Sequence, residues 1–162
     1  MDEYRFELAS PRDAAAIAGL SRRLIEVGLP PAWPAERVLC HIKRTDSVVL
    51  TARGQVPEAA PLAGFAIMQF GDTHAHLNLL AVESHYQRRG LGRQLMHWLH
   101  ESALVAGTWV LGLELRATNA GAQRFYESLG YQPGGVIRGY YQGLEDALRM
   151  SCDLRVGRGL TA

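Results

Sequence analysis

The segment from Leu77 to Ala106 constrains this chain more than any other. Leu77 to Val82 is an apolar run of strand character. From Leu91 a helical stripe takes over, with Leu91, Leu95, Trp98, Leu99, Ser102 and Ala106 on or near one face. Between them runs Val82-Glu-Ser-His-Tyr-Gln-Arg-Arg-Gly-Leu-Gly-Arg93. A strand that opens through Gly-x-Gly into a helix turns several backbone N–H groups toward one spot, and the positive end of the helix dipole points there too. That is a cradle for an anion, best suited to the pyrophosphate of a nucleotide-like cofactor.

The flanking sequence extends the same pattern in both directions. Tyr4, Phe6 and Leu8 alternate with charged residues, as a first strand does. Ser10-Pro11 is a helix start, with apolar residues at Ile17, Leu20, Leu24 and Val27 and a stop at Gly28. Leu29 to Pro34 is a stiff loop carrying Trp33, and a short helix is expected from Ala35 to Ile42. Strands are expected at Val48–Thr51, Leu62–Phe70 and Ala75–Val82, with Gly54 to Pro61 as a loop. After the glycine loop and its helix, Gly107 breaks the helix and Trp109 to Arg116 is a strand. Asn119 or Thr118 caps a helix with Ala122, Phe125, Tyr126 and Leu129 on one stripe and Gly130 at its end. Two strands near Tyr131–Ile137 and Asp146–Leu154 finish the pattern. The order β-α-α-β-β-β-α-β-α-β-β predicts an α/β (α+β) fold: a mixed, mostly antiparallel sheet of about seven strands with helices on both faces. We expect one domain over residues 1–154 and a frayed tail over 155–162.

Charge narrows the partners. Lys plus Arg number 17 against 16 acids among 162 residues, so no strongly basic face is expected and no general nucleic-acid binding. Cys40 and Cys152 fit no metal or redox spacing. The N-terminal Met-Asp-Glu-Tyr-Arg has no basic region followed by an apolar run, and no apolar stretch reaches membrane-spanning length. The expectation is a cytoplasmic protein with no membrane partner. Oligomeric state is not encoded in any feature of the sequence.

Three phosphate-binding loops compete for the cradle. A P-loop needs Gly-Lys-Ser/Thr, whereas Gly92 is followed by Arg93-Gln94. A dinucleotide fingerprint needs a third glycine, where Leu95 stands. The pattern Gln/Arg-x-x-Gly-x-Gly/Ala is met in full by Gln87-Arg88-Arg89-Gly90-Leu91-Gly92. Downstream, Asn119-Ala-Gly-Ala-Gln-Arg-Phe-Tyr-Glu-Ser-Leu-Gly-Tyr131 carries a second pattern, Asn-x-x-Ala-x-x-Phe/Leu-Tyr-x-x-x-Gly-Phe/Tyr. With both motifs in order, the chain resembles the GCN5-related N-acetyltransferases. Within them it resembles the bacterial ribosomal-protein-alanine N-acetyltransferases, from about Leu62 to Leu154. Ala63-Gly-Phe-Ala-Ile67, Tyr86 to Arg93, Leu113 to Asn119, Arg138-Gly-Tyr-Tyr141 and Gly143-Leu-Glu-Asp-Ala147 carry the likeness. The chain departs from the group in two places. Gln142 alone separates Tyr141 from Gly143, where the family has several more residues, and Ala32-Trp33-Pro34 replaces Pro-Trp-Ser.

The resemblance implies acetyl transfer from acetyl-CoA to an amine, without a metal. The implied cofactor residues are the loop Arg88, Arg89, Gly90, Leu91, Gly92 and Arg93 for the pyrophosphate, the main chain of Leu80, Ala81 and Val82 for the pantetheine arm, and Asn119. Glu114, mid-strand beside Gly112, is the implied general base. A strand carboxylate paired to Arg116 or to a neighbouring strand explains it equally well from the residues alone. Tyr126 is the implied general acid, against the plain reading of a buried core tyrosine. Asn119 is also explained as an N-cap alone. Trp33, Tyr140 and Tyr141 either line an acceptor groove or anchor loops. His74 with His76, and His97 with His100, lack an obvious third ligand, so polar residues without a metal are expected. The acceptor is a protein or peptide N-terminus, ribosomal if the likeness extends that far, or else a small amine or lysine. A non-catalytic acyl-CoA-binding module is the remaining class, and intact Glu114 and Tyr126 speak against it.

Overall fold

The computed structural model describes residues 3–54 and 61–156. Most of the loop expected over Gly54–Pro61, and residues 157–162 of the expected tail, lie outside the described residues. The elements are β1 (Tyr4–Leu8), α1 (Ala14–Leu24), α2 (Ala35–Lys43), β2 (Ser47–Gly54), β3 (Leu62–Phe70), β4 (His74–Val82), α3 (Leu91–Val105), β5 (Val110–Arg116), α4 (Ala120–Ser128), β6 (Gln132–Tyr141) and β7 (Glu145–Asp153). Their order is the expected one. The strands form a seven-stranded sheet in the order β1-β2-β3-β4-β5-β7-β6. Only a crossover through α3 joins β4 to β5, so that pair is parallel. The pairs β1–β2, β2–β3, β5–β7 and β6–β7 are antiparallel. Among the described residues no helix is long and apolar enough to cross a membrane.

Residues cluster into two compact units. Among the described residues, one comprises 3–54, 61–69 and 78–99, the other 70–77 and 100–156. In the first, Ile17 and Leu20 of α1 and Val38 of α2 pack with Val49, Phe65, Ile67, Leu79 and Ala81 of the strands. The opposite face of β3 meets α3. A Cβ at Gly64 would stand 2.9 Å from the Ala81 carbonyl oxygen and 3.3 Å from Leu95. Helices therefore cover both faces of β3, which is why residues 62–68 are buried without alternation.

The first helix ends earlier than expected. It stops at Leu24, not at the turn holding Gly28, because Glu26 turns inward. The Glu26 carboxylate accepts from Ser21 Oγ at 2.9 Å and from the backbone N–H groups of Ala32 (2.5 Å) and Trp33 (3.2 Å). That carboxylate shapes the proline loop that Trp33 anchors. Ser10 caps a short 3₁₀ turn over Pro11–Asp13 that feeds α1. In α3 the buried stripe is Leu91, Leu95, Met96, Leu99, His100 and Ala103. It is shifted by one position from the expected Ser102 and Ala106 because Met96 and Ala103 take the inward places.

The second unit holds β5, β7, β6 and α4. Leu111, Leu113 and Leu115 are buried on one face of β5, leaving Val110, Gly112, Glu114 and Arg116 on the other. β6 runs to Tyr141, four residues beyond the expected Ile137. Gln142 (φ 57°) and Gly143 (φ 75°) make a tight hairpin. Within it the Gly143 N–H donates to the Gly139 carbonyl at 2.9 Å.

Candidate active site

The cradle is built from main chain. At its start Gln87 reaches back and donates its amide to the Val82 carbonyl at 2.9 Å, which fixes where the loop leaves β4. The Tyr86 N–H donates to the Glu83 carbonyl at 2.8 Å, and the Glu83 N–H to Ala63 on β3, also at 2.8 Å. Arg88 (φ 63°) and Gly90 (φ 83°) are both left-handed and flank Arg89. Such alternation gathers successive N–H groups into an anion-binding concavity. Leu91, 1% exposed, anchors the first turn of α3 in the core. The N–H groups of that turn have no acceptor within their own helix. Arg88, Arg89 and Arg93 are all exposed.

On β4 itself, Leu80 and Val82 are half-buried and Ala81 buried. The Ala81 carbonyl points toward Gly64 of β3. By alternation Leu80 and Val82 direct their main-chain groups to the other edge. The register of β4 with β5 runs from His74↔Val110 to Leu77↔Leu113. Asn78 Oδ1, just past the last pair, is buried without a hydrogen-bond partner among the described residues.

The second cluster is built from side chains. Glu114 sits on β5 directly across from Arg149 of β7, with Arg149 Nε 3.5 Å from Glu114 Oε1. Its other oxygen, Oε2, is hydrogen-bonded to His76 Nε2 of β4. His76 stands in register with Gly112, where a Cβ would meet only the Met150 carbonyl, at 3.9 Å. The Glu114 side chain is 11% exposed and that of His76 42%. Arg116 pairs with Glu145 at 3.3 Å.

Tyr126 is the buried residue of α4. Its ring meets Phe125 and Tyr131 edge-on, with centroids 5.0 and 5.5 Å apart. Burial holds its phenol protonated well above the ordinary value near 10, and the neighbouring Tyr141 adds to this. Tyr141 is raised chiefly by burial, then by Tyr140 and Glu114, with Arg116 opposing. Glu114, Tyr141 and Tyr126 thus sense one another in turn. Asn119 caps α4, its side chain accepting the Ala122 N–H at 3.0 Å.

Sequence reasoning expected Glu114 on the β5 face opposite the leucines and Tyr126 on the inward stripe of α4, where both lie, but missed the partnership of Glu114 with His76. The signal was available. A strand–helix–strand unit makes β4 and β5 parallel neighbours, and strand alternation puts His76 and Glu114 on one face. Trp33 is a loop anchor: it is 9% exposed, packs on His41 and carries Arg37 3.8 Å above its ring. His100 is buried and bonded to the Tyr131 hydroxyl at 2.9 Å.

The comparisons with known proteins agree with this geometry. An acetyltransferase (GNAT) domain matches residues 45–133. The chain is 44% identical over 132 residues to the ribosomal protein bS18-alanine N-acetyltransferase of Salmonella typhimurium, covering 76% of this chain and 89% of that protein. The chain belongs to the GNAT acetyltransferase family. The GNAT fold is equally plain in the crystal structure of the ribosomal-protein-S18-alanine N-acetyltransferase from Escherichia coli. That structure superposes with a TM-score of 0.78 at 29% identity and covers 94% of each chain. Nourseothricin acetyltransferase superposes at 0.73 with 25% identity, covering 93% of this chain and 98% of that one. The protein is an acetyl-CoA-dependent GNAT N-acetyltransferase.

Proposed function

We propose that this enzyme acetylates the α-amine of a protein N-terminus in the cytoplasm, within a single N-acetyltransferase domain over residues 1–154. The observation that carries this reading is the likeness over most of the chain to an enzyme named for the N-terminal alanine of ribosomal protein bS18. A ribosomal N-terminus is the first acceptor to test. Nourseothricin acetyltransferase supports a second reading, a small-molecule amine as acceptor.

In this reading the residues divide the work. The N–H groups from Arg88 to Arg93 hold the coenzyme pyrophosphate at the start of α3, and the exposed arginines add a salt-screened attraction. Leu80 and Val82 bond the pantetheine arm strand-fashion from the edge of β4 turned away from β3, while buried Ala81 faces β3. Asn78 Oδ1 accepts an N–H from the ligand, and Asn119, the cap of α4, is the further coenzyme residue that the resemblance implies. Glu114 organises the basic centre that deprotonates the amine, and Tyr126 donates to the departing thiolate.

The centre suits an α-amine. Deprotonating an amine of pKa near 7.7–8.0 at pH 7 costs about 1 kcal/mol, against about 4–5 kcal/mol for a lysine near 10.4. The test is thiol release from acetyl-CoA with peptides that begin with different residues, set against polyamines and free lysine. Selective turnover of N-terminal peptides upholds the reading. Turnover confined to small amines replaces it with the second.

A further inference from the structure

Glu114 is not an isolated carboxylate. Its Oε2 is bonded to His76 Nε2 and its Oε1 faces Arg149 Nε at 3.5 Å. An ionised carboxylate only accepts, so the shared hydrogen belongs to the ring, and a neutral His76 then carries its free lone pair on Nδ1. The carboxylate is the sheltered partner, 11% exposed, and the imidazole the open one, 42% exposed. A buried carboxylate that fixes the tautomer of a more exposed histidine is the arrangement that makes the histidine, not the acid, the proton acceptor.

We propose that His76 Nδ1 receives the proton of the acceptor amine, and that Glu114 is the positioning residue that orients the ring. The proposal rests on the reading of this cluster as the basic centre of acetyl transfer. The ammonium N–H bond breaks as Nδ1–H forms, directly or through one water, and the electron pair stays on the amine nitrogen. The ring becomes an imidazolium facing the Glu114 carboxylate. As C–N forms, the attacking nitrogen gives its second proton to solvent; the thioester C–S bond breaks, the thiolate takes a hydrogen bond and then a proton from Tyr126, and solvent returns a proton to the phenolate. The imidazolium gives its proton to water at its exposed edge, so the cycle balances.

Base strength favours the same assignment. A free imidazole lies about 1.3 pK units below an α-amine, whereas a free glutamate lies about 3.5 below it. The other groups facing the pair are consistent with it. Arg149 approaches Glu114 from β7, and Arg116 is tied to Glu145. His74, on the same face of β4, is bonded to the Thr73 hydroxyl at 2.9 Å. Tyr141 is held neutral by burial.

The experiment is the pH dependence of kcat/KM with an N-terminal peptide, read beside coenzyme affinity. His76→Ala should lower kcat about 100-fold, abolish the acidic limb of the profile and leave coenzyme affinity unchanged, and added imidazole should restore part of the rate. Glu114→Gln should cost about tenfold and keep the limb. Nitrogen-15 spectra of the wild-type enzyme, which need no variant to fold, should show His76 protonated at Nε2 in its neutral form. A limb that survives His76→Ala and vanishes in Glu114→Gln makes Glu114 the base and overturns the proposal alone. A neutral tautomer protonated at Nδ1 also overturns it. If neither substitution changes turnover, the reading of this cluster as the basic centre falls, and the proposal with it.

Discussion

The glycine loop and the His76–Glu114 cluster reach function by opposite routes. The loop is made of main chain: left-handed Arg88 and Gly90, the first turn of α3, and Gln87 tying the loop to the Val82 carbonyl. The cluster is made of side chains brought to one face by the pairing of β4, β5 and β7. A main-chain site should tolerate side-chain changes that keep its dihedral angles. A side-chain site should fail when one functional group is lost, even with the backbone undisturbed. Each substitution below asks whether that division holds.

An effect as large as that of the His76 variant, and larger than that of Glu114→Gln, is expected at Tyr126, on the side-chain half. Tyr126→Phe keeps the ring contacts with Phe125 and Tyr131 and removes one hydroxyl. It should lower kcat on the order of 100-fold, the usual worth of a positioned proton donor, with coenzyme affinity nearly unchanged. An unchanged kcat would remove the acid role and leave Tyr126 as core. A stability measurement sharpens the point. Burial raises the folded-state phenol above its ordinary value near 10. The associated stability is therefore complete below about pH 10 and is lost as pH rises beyond it. The melting temperature of the wild type should fall more steeply above pH 10 than that of the phenylalanine variant.

The two routes also differ in how far the sequence reveals them. Local patterns carry the loop: an apolar strand, two glycines, arginines and a helical stripe lie within one continuous segment, so its position between β4 and α3 was legible. Glu114 and Tyr126 were legible through motif and strand alternation. The bond from His76 to Glu114 spans 38 positions. It depends on which strands become neighbours and on the register that sets His76 against Gly112. The early end of α1 was hidden for a related reason. Helical periodicity continues through Val27, but the inward turn of Glu26 serves N–H groups at Ala32 and Trp33 that no local pattern announces.

A smaller effect on coenzyme binding should follow Gly90→Ala, on the main-chain half. Nothing lies within 4 Å of the added Cβ, so no clash interferes, but φ is +83°. A left-handed conformation costs a non-glycine residue roughly 1–2 kcal/mol, which the cradle must supply or else relax. Coenzyme affinity should drop about 5–30-fold while kcat at saturating acetyl-CoA stays within about twofold. A matched loss in kcat would mean that the loop does more than hold the donor.

Arg88→Gly should give the smallest change and divides the two contributions within the loop itself. Arg88 occupies the left-handed region at φ 63°, which glycine adopts without a steric penalty, and its side chain is exposed. The substitution therefore relieves backbone strain and removes one charge. A solvent-exposed charge contributes well under about 1 kcal/mol and less at high salt. Coenzyme affinity should fall by no more than about threefold at low ionic strength, and the difference from wild type should shrink as salt is added. If the cradle were held mainly by its arginines, the loss would instead be large and steeply salt-dependent. A small loss leaves the N–H groups of the loop as the principal donors to the pyrophosphate.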